Sequence, residues 1–167
     1  MSNLQTIQKT DTISLFELTE EVLCDLDAIA EKKQVKLIQN EGNCTIKGSY
    51  LLIYRAVYNL IENAVKYNHT GGSVIVQIRC TEAEAVLTVS DTGIGISEDN
   101  FEKIFNPFFR ADKSRSRAMG GAGLGLALVR AIAEHHEGRV EVLNSSPAGT
   151  TIALTLPADS SSAKTHM

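Results

Sequence analysis

Strand-like segments in this chain come in neighbouring pairs with a helical segment before each pair, and that order restricts the fold more than any other feature of the sequence. Over residues 14–33, Leu15, Leu18, Val22, Leu26 and Ile29 recur at three- and four-residue steps with acidic residues between them, the pattern of an amphipathic helix. Residues 35–39 and 44–47 are short, rich in apolar or β-branched side chains and split by Glu41-Gly42-Asn43, which predicts a hairpin. Ser49 is placed to cap a second helix, in which Leu52, Ile53, Ala56, Val57, Leu60, Ile61 and Ala64 keep helical spacing until Asn68-His69-Thr70-Gly71-Gly72 breaks it. Val74, Val76 and Ile78, then Ala85, Leu87 and Val89, alternate along two half-buried strands that pair. From Asp91 to Met119 regularity fades into a long loop with a helical turn inside it, and so long a loop in a compact domain is usually functional. A third helix over 124–136, ended by Gly138, and strands over 139–143 and 151–156 around Asn144-Ser145-Ser146-Pro147 complete the series. Hairpin-length connections between neighbouring strands favour an α+β fold, a two-layer sandwich.

The whole chain bounds the function. With 167 residues, 43% of them hydrophobic, there is material for one core, and residues 1–157 are expected to form a single domain followed by a polar, disordered tail over 158–167. A net charge of -4 offers no basic field for nucleic acid or an anionic membrane, so an anionic ligand must be small and held by local groups. Cys24, Cys44 and Cys80 are odd in number and widely spaced, without the close pairs of a zinc site, and read as reduced cytosolic thiols. The start is polar, and no apolar run approaches the roughly 20 residues that span a bilayer, so the expectation is a soluble chain without membrane contact.

Four segments carry chemistry. On the second helix, Asn59, Asn63 and Lys66 fall in a narrow stripe beside the apolar face, with Tyr67 next to it. Two amides and an ammonium there are either a solvated helix edge or a set that offers a carbonyl oxygen to a hard cation and donors to phosphate. Ser90-Asp91-Thr92-Gly93-Ile94-Gly95-Ile96 follows a strand, as a plain Asp-Gly turn or as a carboxylate that accepts from the exocyclic amine of adenine, with Ile94 or Ile96 covering the base. Gly120-Gly121-Ala122-Gly123-Leu124-Gly125 runs into the third helix, where backbone N–H groups and the helix dipole favour a phosphate; a flexible linker or a close packing site fits the same residues. It has neither the spacing of a dinucleotide fingerprint nor the Gly-Lys-Ser/Thr ending of a P-loop. Phe101, Phe105, Phe108 and Phe109 crowd into the long loop beside Arg110, either pinning it to the core or serving the chemistry. Arg110, Lys113, Arg115 and Arg117 are likewise a solvated basic surface or charge for a polyphosphate.

In this order the four segments resemble the histidine-kinase branch of the GHKL ATP-binding superfamily. Asn59-Leu-Ile-Glu-Asn63-Ala-Val-Lys66-Tyr67 looks like its N box, Asp91-Thr-Gly93-Ile-Gly95 its G1 box, Phe105-Asn-Pro-Phe108-Phe109-Arg110 its F box and Gly121-Ala-Gly123-Leu-Gly125 its G2 box. The resemblance implies a mixed sheet of about five strands on three helices, with the long loop as a mobile ATP lid. It implies ATP and Mg2+ as cofactors, Asn63 as magnesium ligand, and Asn59 and Lys66 at the phosphates. Tyr67 would lie by the nucleotide, Asp91 would recognise adenine and Arg110 would face the γ-phosphate, so that Asn63, Lys66 and Arg110 carry catalysis. Gly93, Gly95, Ile96, Gly121, Gly123, Leu124 and Gly125 would complete the cofactor site. The implied reaction moves the γ-phosphoryl group to a histidine of a dimerisation segment of the same kinase, with a response regulator downstream, in the cytoplasm, even if the parent protein is anchored in the membrane.

One departure matters: the family's phospho-accepting helix should precede the catalytic domain. The histidines here, His69, His135, His136 and His166, all lie within or after the boxes and read as structural or solvated, His135 and His136 as cations suited to a helix C-terminus. The chain is therefore read as a piece of a longer kinase. A GHKL ATPase is the main rival, but its water-activating glutamate, one turn before the magnesium asparagine, would here be Asn59, which takes no proton. A GHKL serine kinase, disfavoured by the F box, and a non-catalytic nucleotide-binding module are the others.

Overall fold

The structure, a computed structural model, describes residues 11–107 and 125–159. Strand β1 (Asp11–Ser14) runs straight into α1 (Leu15–Lys33), and the Ser14 hydroxyl accepts the Glu17 N–H at 3.3 Å, satisfying one of the orphan donors of the first turn. Leu15, Leu18, Val22, Leu26 and Ala30 turn inward; Ile29, expected in that stripe, is 42% exposed, because the buried row passes from Leu26 to Ala30 and leaves its neighbour rotated away. Helix α2 (Tyr50–Lys66) is capped as expected, the Ser49 hydroxyl accepting the Leu52 N–H at 3.3 Å, and buries Ile53, Ala56, Val57, Leu60, Ile61 and Ala64. Helix α3 (Gly125–His135) buries Val129, Ile132 and Ala133. Among the described residues no helix is long and apolar enough to cross a membrane.

Against these helices lies one mixed sheet. Strands β2 (Lys36–Gln39), β4 (Ser73–Cys80), β5 (Glu84–Asp91), β6 (Arg139–Ser146) and β7 (Gly149–Pro157) stand in the order β2-β4-β5-β7-β6, with β2 parallel to β4 and the other pairs antiparallel. Val74, Val76 and Ile78, then Ala85, Leu87 and Val89, then Ile152, Leu154 and Leu156, face the helices and are buried. Each Val, Leu or Ile among them contributes roughly 1.5–3 kcal/mol when taken out of water, so the alternating rows hold the two layers together. The five-stranded α+β sandwich is the fold the sequence predicts.

Four local expectations are corrected. Residues 35–39 and 44–47 do not pair with each other: β2 takes the edge beside β4, with Lys36 opposite Ser73, while β3 (Thr45–Gly48) pairs antiparallel with β1. Asn43 diverts the chain between them. Its Oδ1 accepts the N–H groups of Phe16 (2.9 Å) and Cys44 (2.8 Å), and its Nδ2 donates to Ser14 Oγ (3.0 Å). Cys44 and Cys80 form a disulfide, their Cα atoms 5.1 Å apart, because the start of β3 reaches the far end of β4; only Cys24, exposed on α1, remains a thiol. His136 is neither solvated nor cationic. It is 4% exposed, its Nδ1 lies 2.8 Å from the Ile132 carbonyl, and its Nε2 accepts the Ser49 N–H at 3.1 Å, so the ring is the neutral Nδ1–H tautomer and joins the end of α3 to the cap of α2. Finally, Asn144 to Ser146 belong to β6, so the reversal into β7 is shorter than expected. Past β7, Ala158 and Asp159 donate to the carbonyls of Ala83 and Thr45; residues 160–167, most of the expected tail, lie outside the described residues.

Candidate functional site

The polar edge of α2 forms one wall of the site. Asn59, Glu62, Asn63 and Lys66 are partly exposed while the residues between them are buried, so one helix presents an apolar face to the core and a hydrogen-bonding edge beside it. Lys66 Nζ lies 3.9 Å from Glu62 Oε1, an i,i+4 pair with side chains 33% and 29% exposed. Such a pair is worth only about 0.3–0.5 kcal/mol, so the ammonium is readily drawn to a stronger anion. The Lys33 ammonium donates to the Lys66 carbonyl and places a cation at the helix C-terminus. Asn59 Nδ2 reaches the Gly125 carbonyl at 3.4 Å, tying α2 to the start of α3. Arg55, Asn59, Gly125, Ala127 and Leu128 line an open cavity of ≈ 520 Å³ between the two helices.

The second wall is the loop after β5. Asp91 Oδ1 accepts two backbone N–H groups, from Gly93 at 2.8 Å and Thr150 at 3.3 Å. The first of these closes an Asx-type turn, so the plain-turn reading describes one carboxylate oxygen. Oδ2 accepts no hydrogen bond from the described residues. Burial pushes the Asp91 carboxyl above its ordinary range, against the two N–H groups and the charge of His69, which pull it back. The loop is pressed between two neighbours that leave no room for side chains. A Cβ on Gly93 would stand 2.5 Å from the Tyr67 carbonyl, and one on Gly95, at φ 79, 2.2 Å from the Ser146 carbonyl. Ile94 N donates to the Tyr67 carbonyl (3.3 Å) and Ile96 N to Ser145 Oγ (2.7 Å), while the Ile96 side chain packs against the core.

Residues 48–160 match the family of histidine kinase-, DNA gyrase B- and HSP90-like ATPases. The chain belongs to this family. ATP is thereby the ligand class of the domain. The sensor-like histidine kinase SenX3 of Mycobacterium tuberculosis is 41% identical over 117 residues, 70% of this chain and 28% of that protein. The sensor histidine kinase RppB of Synechocystis is 40% identical over 141 residues, 84% of this chain and 31% of that protein. The chain spans less than a third of the length of either. The solved structure of the mycobacterial sensor histidine kinase MprB superposes with a TM-score of 0.78 at 27% identity, covering 89% of this chain and 97% of that one.

Of the residues expected to serve this ATPase-family site, Asn59, Asn63, Lys66 and Tyr67 stand on or at the end of α2, Asp91 ends β5, and Gly93, Gly95 and Ile96 stand on the loop that packs against the end of α2. Gly125 opens α3 beside Asn59. Arg110, Gly121, Gly123, Leu124, Phe108 and Phe109 lie outside the described residues, as do residues 108–119 of the expected lid. Phe105 is 2% exposed at the end of a 3-10 turn (Lys103–Phe105), which supports the loop-pinning alternative for that residue; the following Asn106 accepts from Arg130 of α3 at 3.2 Å. The sequence reading missed Asn68, Thr92, Ser145 and Thr150. All four sit in segments rich in turn-forming residues, and only tertiary packing turns them into supports of the Asp91 loop.

Proposed function

We propose that residues 1–157 act as the ATP-binding catalytic domain of a sensor histidine kinase, which transfers the γ-phosphoryl group of Mg-ATP to an imidazole nitrogen on a separate, histidine-bearing dimerisation segment. Asp91 Oδ2 accepts from the adenine amine, while Oδ1 is held by its two N–H donors and keeps the carboxylate aimed. Lys66 leaves its weak partner Glu62 for the phosphates, and Asn59 donates at the same edge. Among the described residues there is no cluster of His, Cys, Asp and Glu able to cage a metal. A single amide oxygen, that of Asn63, fits magnesium all the same, since this ion takes few protein ligands and completes its octahedron with phosphate oxygens and water. When bound, the ion would neutralise charge on the phosphates. The family resemblance implies Arg110 for the γ-phosphate, and that residue lies outside the described residues. The reaction asks the protein for position and charge rather than covalent chemistry, which matches a site of amides, one ammonium and one fixed carboxylate.

The observation that carries transfer over hydrolysis is Asn59. The position one turn before Asn63, where a hydrolase needs a base for water, holds an amide that already donates to Gly125. Glu62 is rotated about 100° from Asn63 and faces Lys66. The phosphorylated histidine would then supply a response regulator, on the cytoplasmic side where ATP is available. The test incubates the domain with labelled Mg-ATP and a histidine-bearing helical hairpin. An acid-labile, base-stable phosphoprotein supports the reading, and free phosphate without transfer supports the ATPase instead.

A further inference from the structure

Asn68, one residue past the N-box segment, is 5% exposed and has both side-chain polar atoms engaged. Its Oδ1 accepts the His69 N–H at 2.8 Å and the Thr92 hydroxyl at 2.9 Å, and its Nδ2 donates to the Ser73 carbonyl at 2.9 Å. Thr92 Oγ1 also accepts the Ser73 N–H at 2.9 Å, and the Thr92 N–H donates to the Ser73 carbonyl at 3.2 Å. The cluster is packed so closely that a Cβ on Gly72 would stand 2.2 Å from Asn68 Oδ1 and 2.6 Å from Thr92 Oγ1. Asn68 is the buried anchor of this joint, with neither side-chain atom orphaned, while Ser73 is half-buried and Thr92 exposed; opening the joint would strand the buried amide.

The joint lies between two functional halves. Asn68 continues directly from the segment that bears Asn63 and Lys66, and Thr92 is adjacent to Asp91. Each half is also held by contacts of its own, Asp91 by the Gly93 and Thr150 N–H groups and the amide edge by α2. We propose that Asn68, acting through Thr92, is a positioning residue that fixes the span between the Asp91 carboxylate and the Asn63–Lys66 edge, so that one nucleotide reaches both at once. The inference rests on the function proposed above. A ligand that touches two rigidly spaced points gains from their preorganisation, and that gain vanishes when the spacing fluctuates even if each point stays intact.

The experiment compares Thr92→Val, which keeps the shape and removes the hydroxyl, with Thr92→Ser, which keeps the hydroxyl. Asn68→Ala serves as a second variant, and affinities are measured by calorimetry and NMR titration well below each melting temperature. Thr92→Val loses at least tenfold in affinity for Mg-ATP, while its affinities for adenosine alone and for magnesium tripolyphosphate alone each change less than threefold; Thr92→Ser binds Mg-ATP as the parent does. Equal Mg-ATP affinity in the Val and Ser variants overturns the proposal. So does a loss of adenosine binding in Thr92→Val as large as its loss of Mg-ATP binding, since the joint would then merely shape the base site. Asp91→Asn is the control on the function itself. If it binds Mg-ATP normally the underlying reading fails, whereas a defective Asp91→Asn beside a normal Thr92→Val removes the positioning role alone.

Discussion

Replacing Asp91 by Asn tests the adenine contact at a single atom. Oδ1 accepts two backbone N–H groups, so the Asn carbonyl is obliged to take that inward place and its NH2 replaces Oδ2. The side chain then presents a donor to the donor amine of adenine, and turning it round would set the NH2 against Gly93 and Thr150. A hydrogen bond to a charged group is worth about 1.5–3 kcal/mol, and the mismatched donors add a further desolvation loss, giving about 2–4 kcal/mol in all. That is roughly 30- to 1,000-fold in affinity. Stability moves the other way. Burial holds the Asp91 carboxyl above its unfolded range, so its share of stability is present below the unfolded pKa and is lost as pH rises through the folded one. At pH 7 Asp91→Asn therefore melts at or slightly above the parent, and the difference closes once pH falls below about 4, the ordinary range of a free Asp. The assay is ATP titration by calorimetry with thermal melts at pH 7 and pH 4. An ATP affinity within threefold of the parent, or a variant less stable than the parent at pH 7, refutes the argument.

Asn63→Ala removes one amide from a partly exposed helix edge, so the melting temperature is unchanged or raised, Ala being the better helix former by several tenths of a kcal/mol. Phosphoryl transfer to a supplied histidine domain falls at least a hundredfold in the same variant, read by radiolabel. Reducing the Cys44–Cys80 bond frees a loop of 36 residues, which the chain-entropy account sets at about 4 kcal/mol; denaturant midpoints with and without reductant measure it, and Cys24→Ser leaves the difference intact. His136→Phe strands the buried Ser49 N–H at a cost of about 1–3 kcal/mol, seen as a lower urea midpoint, and His136→Gln recovers part of it by offering an acceptor.

Where one face of an element meets the core, the sequence was sufficient. Rows such as Leu52, Ile53, Ala56 and Val57, with Ser49 before them, leave little choice but a capped helix, and the alternation in β4 and β5 sets both their pairing and their inward face. The same periodicity exposed Asn59, Asn63 and Lys66 as a polar edge. What failed were assignments decided by partners far along the chain. Residues 35–39 and 44–47 look like a hairpin by proximity, yet β1, with Ile13 as its one apolar residue, offers a partner that no local pattern announces, and Asn43 settles the matter through bonds to Ser14 and Phe16. Cys80 lies next to Cys44 only after β4 is in place. His136 carries a neutral ring because a helix cap 87 residues earlier needs an acceptor. Asn68 and Thr92 are ordinary turn residues until they meet.

The last strand along the described chain is an interior strand. β7 stands between β5 and β6, and its Thr150 supplies one of the two N–H groups that hold Asp91. A polypeptide leaving the ribosome can pair β4 with β5 and shelter part of α2, but it presents an unzipped sheet until residues 149–157 have emerged. A chain that stops short of this strand leaves the facing edges of β5 and β6 unpaired and the Asp91 carboxylate without the Thr150 N–H. The five-stranded sheet is thus continuous only when its last described strand is in place.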